Sequence, residues 1–261
     1  VMSSKSTGKR FEELVTIVER LRAPDGCPWD REQTPASLLP YLLEETYEVM
    51  ESVDERNWEV LKEELGDLLL HVVFQASIAT DSDRFNIDES LKTVNEKLVR
   101  RHPHVFGDTK ANAAFKAKQN WEAEKQKEKK RDSRLDGVPV TLPGLVRAQR
   151  LQEKAAYVGF DWEKIESVWE KVYEELQEIK LAQQENNKDL LEEEIGDAIF
   201  ALVNLARFLG IPAEDALRKT NNKFINRFKM IEMELKKRGK TLEESSLDEM
   251  DKIWNTVKKK S

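Results

Sequence analysis

The residues best equipped for chemistry are acids at helical spacing. Glu44-Glu45-Thr46-Tyr47-Glu48 precedes Glu64-Leu65-Gly66-Asp67, and both motifs recur 130 residues later as Glu174-Glu175-Leu176-Gln177-Glu178 and Glu194-Ile195-Gly196-Asp197. Side chains three or four apart share a helix face, so Glu45 with Glu48 and Glu64 with Asp67 each form a carboxylate pair one turn deep. Two such helices packed together bring four acids to one spot. Crowded anionic oxygens repel one another and are costly to desolvate unless a hard cation neutralises them. An oxygen-only donor set, with Cys27 the single cysteine and no paired histidines, suits Mg2+, with Mn2+ as a substitute, rather than zinc. A di-iron bundle would use Glu-x-x-His pairs, whereas the third residue after Glu64 and Glu194 is Asp67 and Asp197. His71 continues the first stripe, but its counterpart is Ala201, so it reads as a core or supporting histidine.

Cationic and aromatic companions are duplicated too. Lys97 and Arg101 share a helix face, as do Lys223 and Arg227, and such pairs can clamp phosphate oxygens. Trp121 with Lys125, and Trp254 with Lys258, pair a stacking surface with a further phosphate contact. Acids that hold a metal, basic clamps and an aromatic platform together describe a nucleotide polyphosphate hydrolase, in which bound cations align phosphates and acidify a water. The chain has neither the Gly-x-x-x-x-Gly-Lys-Ser/Thr phosphate loop nor the Rossmann glycine fingerprint. A net charge of −7 does not suggest a nucleic-acid polymer as partner, since a basic patch would be its footprint.

The elements that must position these groups are helices. Charged residues make up 36% of the 261-residue chain, against roughly 25% in an average globular protein, with only 10 Gly and 8 Pro. Apolar periodicity predicts helices over 11–21, from a Thr34-Pro35 start to about Asp54, over 58–79, over 89–101 with Asp88 as cap, and over 112–130. His102 and His104 fall in the loop that follows the fourth. A Gly- and Pro-rich stretch, 131–144, reads as the linker between a first repeat over 1–130 and a second over 145–261. In the second repeat helices are expected over 145–156, 165–184, 190–209, 212–238 and 247–258. No run alternates as a strand would. Gly66 and Gly196 sit inside helices at a cost of about 1 kcal/mol relative to Ala, which suggests a close neighbour there. No stretch reaches the ~18 apolar residues of a membrane span, the N-terminal stretch is polar, and a lone cysteine fits a reducing compartment. These features predict a cytoplasmic protein without a membrane partner.

Glu-Glu-x-x-Glu followed by Glu-x-x-Asp, with Cys27-Pro28-Trp29-Asp30-Arg31-Glu32-Gln33-Thr34, resembles the MazG nucleoside triphosphate pyrophosphohydrolases in their tandem form. The resemblance covers nearly the whole chain. It implies an all-α, Mg2+-dependent enzyme of broad base tolerance that cleaves nucleoside triphosphates to monophosphate and pyrophosphate in nucleotide-pool housecleaning. It also implies a homodimer that completes each helical bundle. Metal ligands and catalytic groups would be Glu45, Glu48, Glu64 and Asp67, then Glu175, Glu178, Glu194 and Asp197. Substrate contacts would be Lys223, Arg227, Trp254 and Lys258, joined by Glu174 and Lys188, with Lys97, Arg101, Trp121 and Lys125 as first-repeat counterparts. The second repeat departs from the Cys-Pro-Trp-Asp pattern, reading Val158-Gly159-Phe160-Asp161-Trp162. The alternatives are a non-catalytic helical dimer that binds nucleotide or protein, and a specialised pyrophosphatase for dUTP or a phosphoribosyl nucleotide.

Overall fold

Short polar turns break the apolar periodicity of this chain into paired helices, and the computed structural model describes residues 4–107, 121–125, 128 and 132–258. Among the described residues there is helix and no strand. The first compact unit, Val1–Ala117, contains α1 (Ser4–Arg22), α2 (Pro28–Glu32), α3 (Leu39–Asp54), α4 (Trp58–Asp81), α5 (Ile87–Arg101) and α6 (Pro103–Phe106). The second, Lys118–Ser261, contains α7 (Gly144–Ala156), α8 (Ile165–Glu185), α9 (Lys188–Phe208), α10 (Ala213–Lys237) and α11 (Leu247–Lys258). The division lies ahead of the 131–144 stretch, whose described residues belong to the second unit. Of the expected helix over 112–130, residues 121–125 and 128 are helical and the others lie outside the described residues.

Each unit is built on the same helical hairpin. Between α3 and α4, Arg56 adopts a left-handed φ of 55° and Asn57 caps α4, its Oδ1 accepting from Val60 N–H at 3.3 Å. Between α8 and α9, Asn186 takes φ 53° and Asn187 caps α9 by accepting from Asp189 and Leu190. A two-residue reversal of this kind forces the flanking helices antiparallel, which sets mid-α3 beside mid-α4 and mid-α8 beside mid-α9. In the first unit α1 packs on α4, with Val18, Leu38, Val73, Phe74 and Ile78 as the core. In the second, Val168, Val172, Ala201 and Leu205 seal α8 to α9, while Ile231, Leu235 and Ile253 seal α10 to α11. Burial of such side chains contributes about 1.5–3 kcal/mol each.

Three sequence expectations are corrected. Thr34-Pro35 does not start the acid-bearing helix. Thr34 and Ser37 close a turn of their own, Ser37 N–H donating to Thr34 Oγ1 at 3.1 Å and Thr34 N–H to Ser37 Oγ at 2.9 Å. The helix begins at Leu39, where Pro40 fits because first-turn N–H groups have no helical acceptor. Asp88 is not the cap of α5. Asn86 is, in a reciprocal box with Glu89 whose two hydrogen bonds are both 2.9 Å, and Asp88 is left in the first turn. Gly66 and Gly196 have no close neighbour either, since a Cβ at each would meet nothing within 4 Å.

Candidate active site

The hairpins deliver the acids as the spacing requires. In the first unit Glu45 on α3 meets Glu64 and Asp67 on α4, each offering an oxygen within 4.8 Å of the others. In the second, Glu175 on α8 meets Glu194 and Asp197 on α9 in the same way. Glu48 and Glu178 stand outside these trios but remain electrically joined to them. Glu48 hydrogen-bonds Glu45 and its charge raises the pKa of Glu64, while Glu178 is itself raised by Glu194 and Glu175 after desolvation.

Crowding has its largest effect on Glu45. Partial desolvation, then the hydrogen bond its protonated form donates to Glu48, then the charges of Asp67, Glu48 and Glu64, push its pKa up to about 7. Desolvation and neighbouring carboxylates also raise Glu64 and Glu194. A carboxyl whose folded pKa exceeds its unfolded value binds its proton more tightly when folded, so it favours folding at low pH and disfavours it as pH rises through the folded value. The metal-free protein is therefore expected to lose melting temperature between about pH 5 and pH 8, and Glu45→Gln to lose less. The check is differential scanning calorimetry across that range. Equal slopes for the two proteins would show that Glu45 carries no such strain, and a divalent cation should restore the wild type at pH 8 more than the variant.

The second cluster differs in one respect that the sequence repeat conceals. Lys171 bridges Glu174 at 2.8 Å and Glu175 at 2.7 Å, and these bonds hold it firmly protonated. At the 130-residue offset the first unit has Tyr41, which sits edge-on against Trp29 at 5.9 Å. A search for what recurs in both halves discards a residue present in one. The available signal was a lysine four residues before Glu175, at helical reach.

Glu175, Asp197 and Lys171 open into a cavity of about 720 Å³. Its walls include Phe160, Trp162 and Gln152, and Arg207, which forks onto Asp161 at 2.9 and 2.5 Å. The donor set fits a divalent cation on its own terms. All donors are hard oxygens, and Glu175 is 4% exposed with Oε2 buried and lacking a hydrogen-bond partner.

Other expected contacts lie elsewhere. Lys223, Arg227, Trp254 and Lys258 do not line the cavity. Trp254 packs in the α10–α11 core beside Phe224, with the Arg227 guanidinium 5.6 Å from its ring. Lys188 is exposed at the start of α9, about 9 Å along the axis from Glu194. Glu174 touches the site through Lys171. In the first unit Lys97 is half-buried and Arg101 buried at the end of α5. Trp121 and Lys125 are half-buried and belong to the second unit, where their neighbour Glu122 pairs with Arg150 at 3.1 Å and Lys154 at 3.3 Å. Burial lowers the pKa of His71, opposed by the Asp67 charge, and its Nδ1 is buried without a partner, as a supporting histidine in a low-dielectric setting would be. Among the described residues no single helix is long and apolar enough to cross a membrane.

The chain is similar to known proteins over the same features. A family model described as the MazG nucleotide pyrophosphohydrolase domain matches it twice, over residues 33–106 and 163–231. Each match contains one acid-bearing hairpin. Over 256 residues the chain is 49% identical to the nucleoside triphosphate pyrophosphohydrolase/pyrophosphatase MazG of Thermotoga maritima, covering 97% of this chain and 98% of that protein. It is 44% identical over 256 residues to the nucleoside triphosphate pyrophosphohydrolase of Escherichia coli, covering 96% and 97%. The uncharacterized protein YabN of Bacillus subtilis is 48% identical over 251 residues, which make up 95% of this chain and 51% of that one.

Proposed function

The chain belongs to the MazG nucleotide pyrophosphohydrolase family, and from that membership we propose that it hydrolyses nucleoside triphosphates to monophosphate and pyrophosphate with Mg2+ held by its paired acids. The observation that carries the reading is the duplicated acid cluster, with the Glu175 Oε2 buried and unmatched in the second copy. Glu45, Glu48, Glu64 and Asp67 would hold the cation in the first site, and Glu175, Glu178, Glu194 and Asp197 in the second, with Mn2+ as a substitute. When bound, the ion neutralises phosphate charge and acidifies a water directed at phosphorus.

The chain's own residues supply the rest. Lys171 balances Glu175 before a cation arrives and lies where its ammonium can turn to a phosphate oxygen. Lys223 and Arg227 supply further countercharge, and stacking on Trp254 orients the Arg227 guanidinium. Lys258 and Lys188 add long-range attraction for a polyanion. Lys97 and Arg101 are the counterparts of Lys223 and Arg227 for the first site. The second site is the main hydrolase, because it alone has Lys171 beside its acids. Such an enzyme acts on the cytoplasmic nucleotide pool.

A second copy of the chain completes the bundles. Leu65, Leu69 and Val72 are 41–51% exposed on the side of α4 away from Phe74 and Ile78, and Ile195, Ile199 and Leu202 are 44–48% exposed at the same positions of α9. Gly66 and Gly196 border these stripes with open space in front of them, which accommodates a helix of the partner.

The test is product identity. Mixed nucleoside triphosphates with Mg2+ should give monophosphate and pyrophosphate, read by anion-exchange chromatography, and EDTA should stop the reaction. Release of diphosphate and orthophosphate would overturn the bond assignment.

A further inference from the structure

The cavity beside Glu175 takes part of its wall from a segment that the repeat pattern gives to neither half. Leu135 lines it, and Leu135 belongs to the Gly- and Pro-rich stretch 131–144, outside both spans matched by the family model. The backbone around Leu135 is a turn rather than a helix. Local bonds close that turn, with Asp136 Oδ2 accepting from Ser133 N–H at 2.9 Å and Ser133 Oγ accepting from Leu135 N–H at 3.2 Å. These bonds shape the turn and leave its place against the cavity unset.

Its place is set from α7. Lys154 is 5% exposed, and its ammonium donates to the Arg134 carbonyl at 3.1 Å and to Glu122 Oε2 at 3.3 Å. Glu122 Oε1 accepts in turn from Arg150 Nη2 at 3.1 Å, one helical turn back from Lys154. Burial opposes the charge on Glu122, but Lys154, Lys125 and Arg150 hold its carboxyl below the usual carboxylate range. Leu151 and Ala155, each one residue beyond Arg150 and Lys154, line the cavity. A single helix thus presents one pair of residues to the cavity and grips the turn with the other.

We propose that Lys154 is a positioning residue of the second site: through the Arg134 carbonyl it fixes the 133–136 turn so that Leu135 closes one wall of the substrate cavity. The inference rests on the hydrolase reading above. The stretch between the repeats is then a working part of the second site and not a spacer. The residue type follows from the task, because the carbonyl needs a donor and the enclosed Glu122 carboxylate needs a positive charge, and one ammonium supplies both. The first unit does not repeat the arrangement. At offsets of 130 and 131 residues from Lys154 it has Pro24 and Ala23, neither of which can donate from a side chain.

The experiment uses the full-length protein with ATP and Mg2+. Lys154→Met keeps an unbranched chain and removes the charge. Hydrogen–deuterium exchange should be about tenfold faster in the peptide containing 133–136 and unchanged in the α8–α9 hairpin, while KM for ATP rises about tenfold with kcat retained. Lys154→Arg, which keeps donor and charge, should restore both readings. Unchanged exchange at 133–136 overturns the assignment, and faster exchange throughout the hairpin would make Lys154 a general stabiliser and overturn it equally. Leu135→Ala, at a side chain 44% exposed, leaves the buried ion pairs intact. It should raise KM for ATP several-fold at an unaltered melting temperature, and an unchanged KM would remove the turn from the site. Failure of the wild type to turn over ATP at all would instead strike the hydrolase reading, since the exchange result does not depend on turnover.

Discussion

Asp197→Asn is expected to lower kcat for nucleoside triphosphate hydrolysis by about 10²–10³-fold, and Asp67→Asn to lower it far less. The substitution is nearly isosteric, so the helix and its neighbours are preserved and the change isolates one negative charge. That charge sits within 4.8 Å of oxygens from Glu175 and Glu194, where a cation needs every anionic donor it can reach. An amide oxygen could still coordinate but would no longer neutralise, so the site would hold its cation more weakly and less of the enzyme would carry the ion that supplies the acidified water. Asymmetry between the two variants follows from Lys171, which the second site has and the first, with Tyr41, lacks. Steady-state kinetics of each single variant and of the double, with circular dichroism to verify helix content, decides the matter. Full activity in the double variant would remove the acids from catalysis, and equal losses in the singles would make the sites equivalent.

The duplicated part of this molecule was legible in the sequence because its physics is local. Helical spacing alone puts Glu64 and Asp67 on one face, and the turn residues Arg56-Asn57 and Asn186-Asn187 recur at the same offset as the acids they align. Where two local signals compete, the spacing does not decide. Thr34-Pro35 is a good helix start, yet Ser37 is placed to close a turn with Thr34 first, and Pro40 then fixes the true beginning. Asn86 rather than Asp88 caps α5 through a reciprocal bond with Glu89, and the Asn86-x-x-Glu89 spacing that allows it is present in the sequence. Lys171 and Lys154 were hidden for a different reason. Neither belongs to the repeat, and what makes each notable is a fact of the folded chain: a bond to a buried acid in one case, and a bond to the Arg134 carbonyl in the other.

A charge on the exposed apolar stripes should dissolve the proposed dimer. Leu69→Glu combined with Ile199→Glu is expected to convert the protein from twice the chain mass to a single chain in light scattering, with loss of most activity. Leu65, Leu69 and Val72, like Ile195, Ile199 and Leu202, follow the four-then-three spacing that keeps a seam facing one partner. Leu69 is 41% exposed and Ile199 46% exposed within the single chain, so neither substitution empties a core. Burial of each such side chain against a second protomer contributes about 1.5–3 kcal/mol, and a two-fold axis counts every residue twice. The same symmetry makes the substitution severe, because each glutamate would be desolvated against the partner's copy of the apolar stripe. Activity should fall with the dimer because α4 and α9 bear both the stripe and the acids. Asp67 lies two residues from Leu65 and Asp197 two from Ile195, so a helix held on one face by its own core and on another by a partner keeps its carboxylates in register for a cation. A variant that stays dimeric would place the interface elsewhere. A monomer with undiminished turnover would show that each hairpin positions its acids unaided.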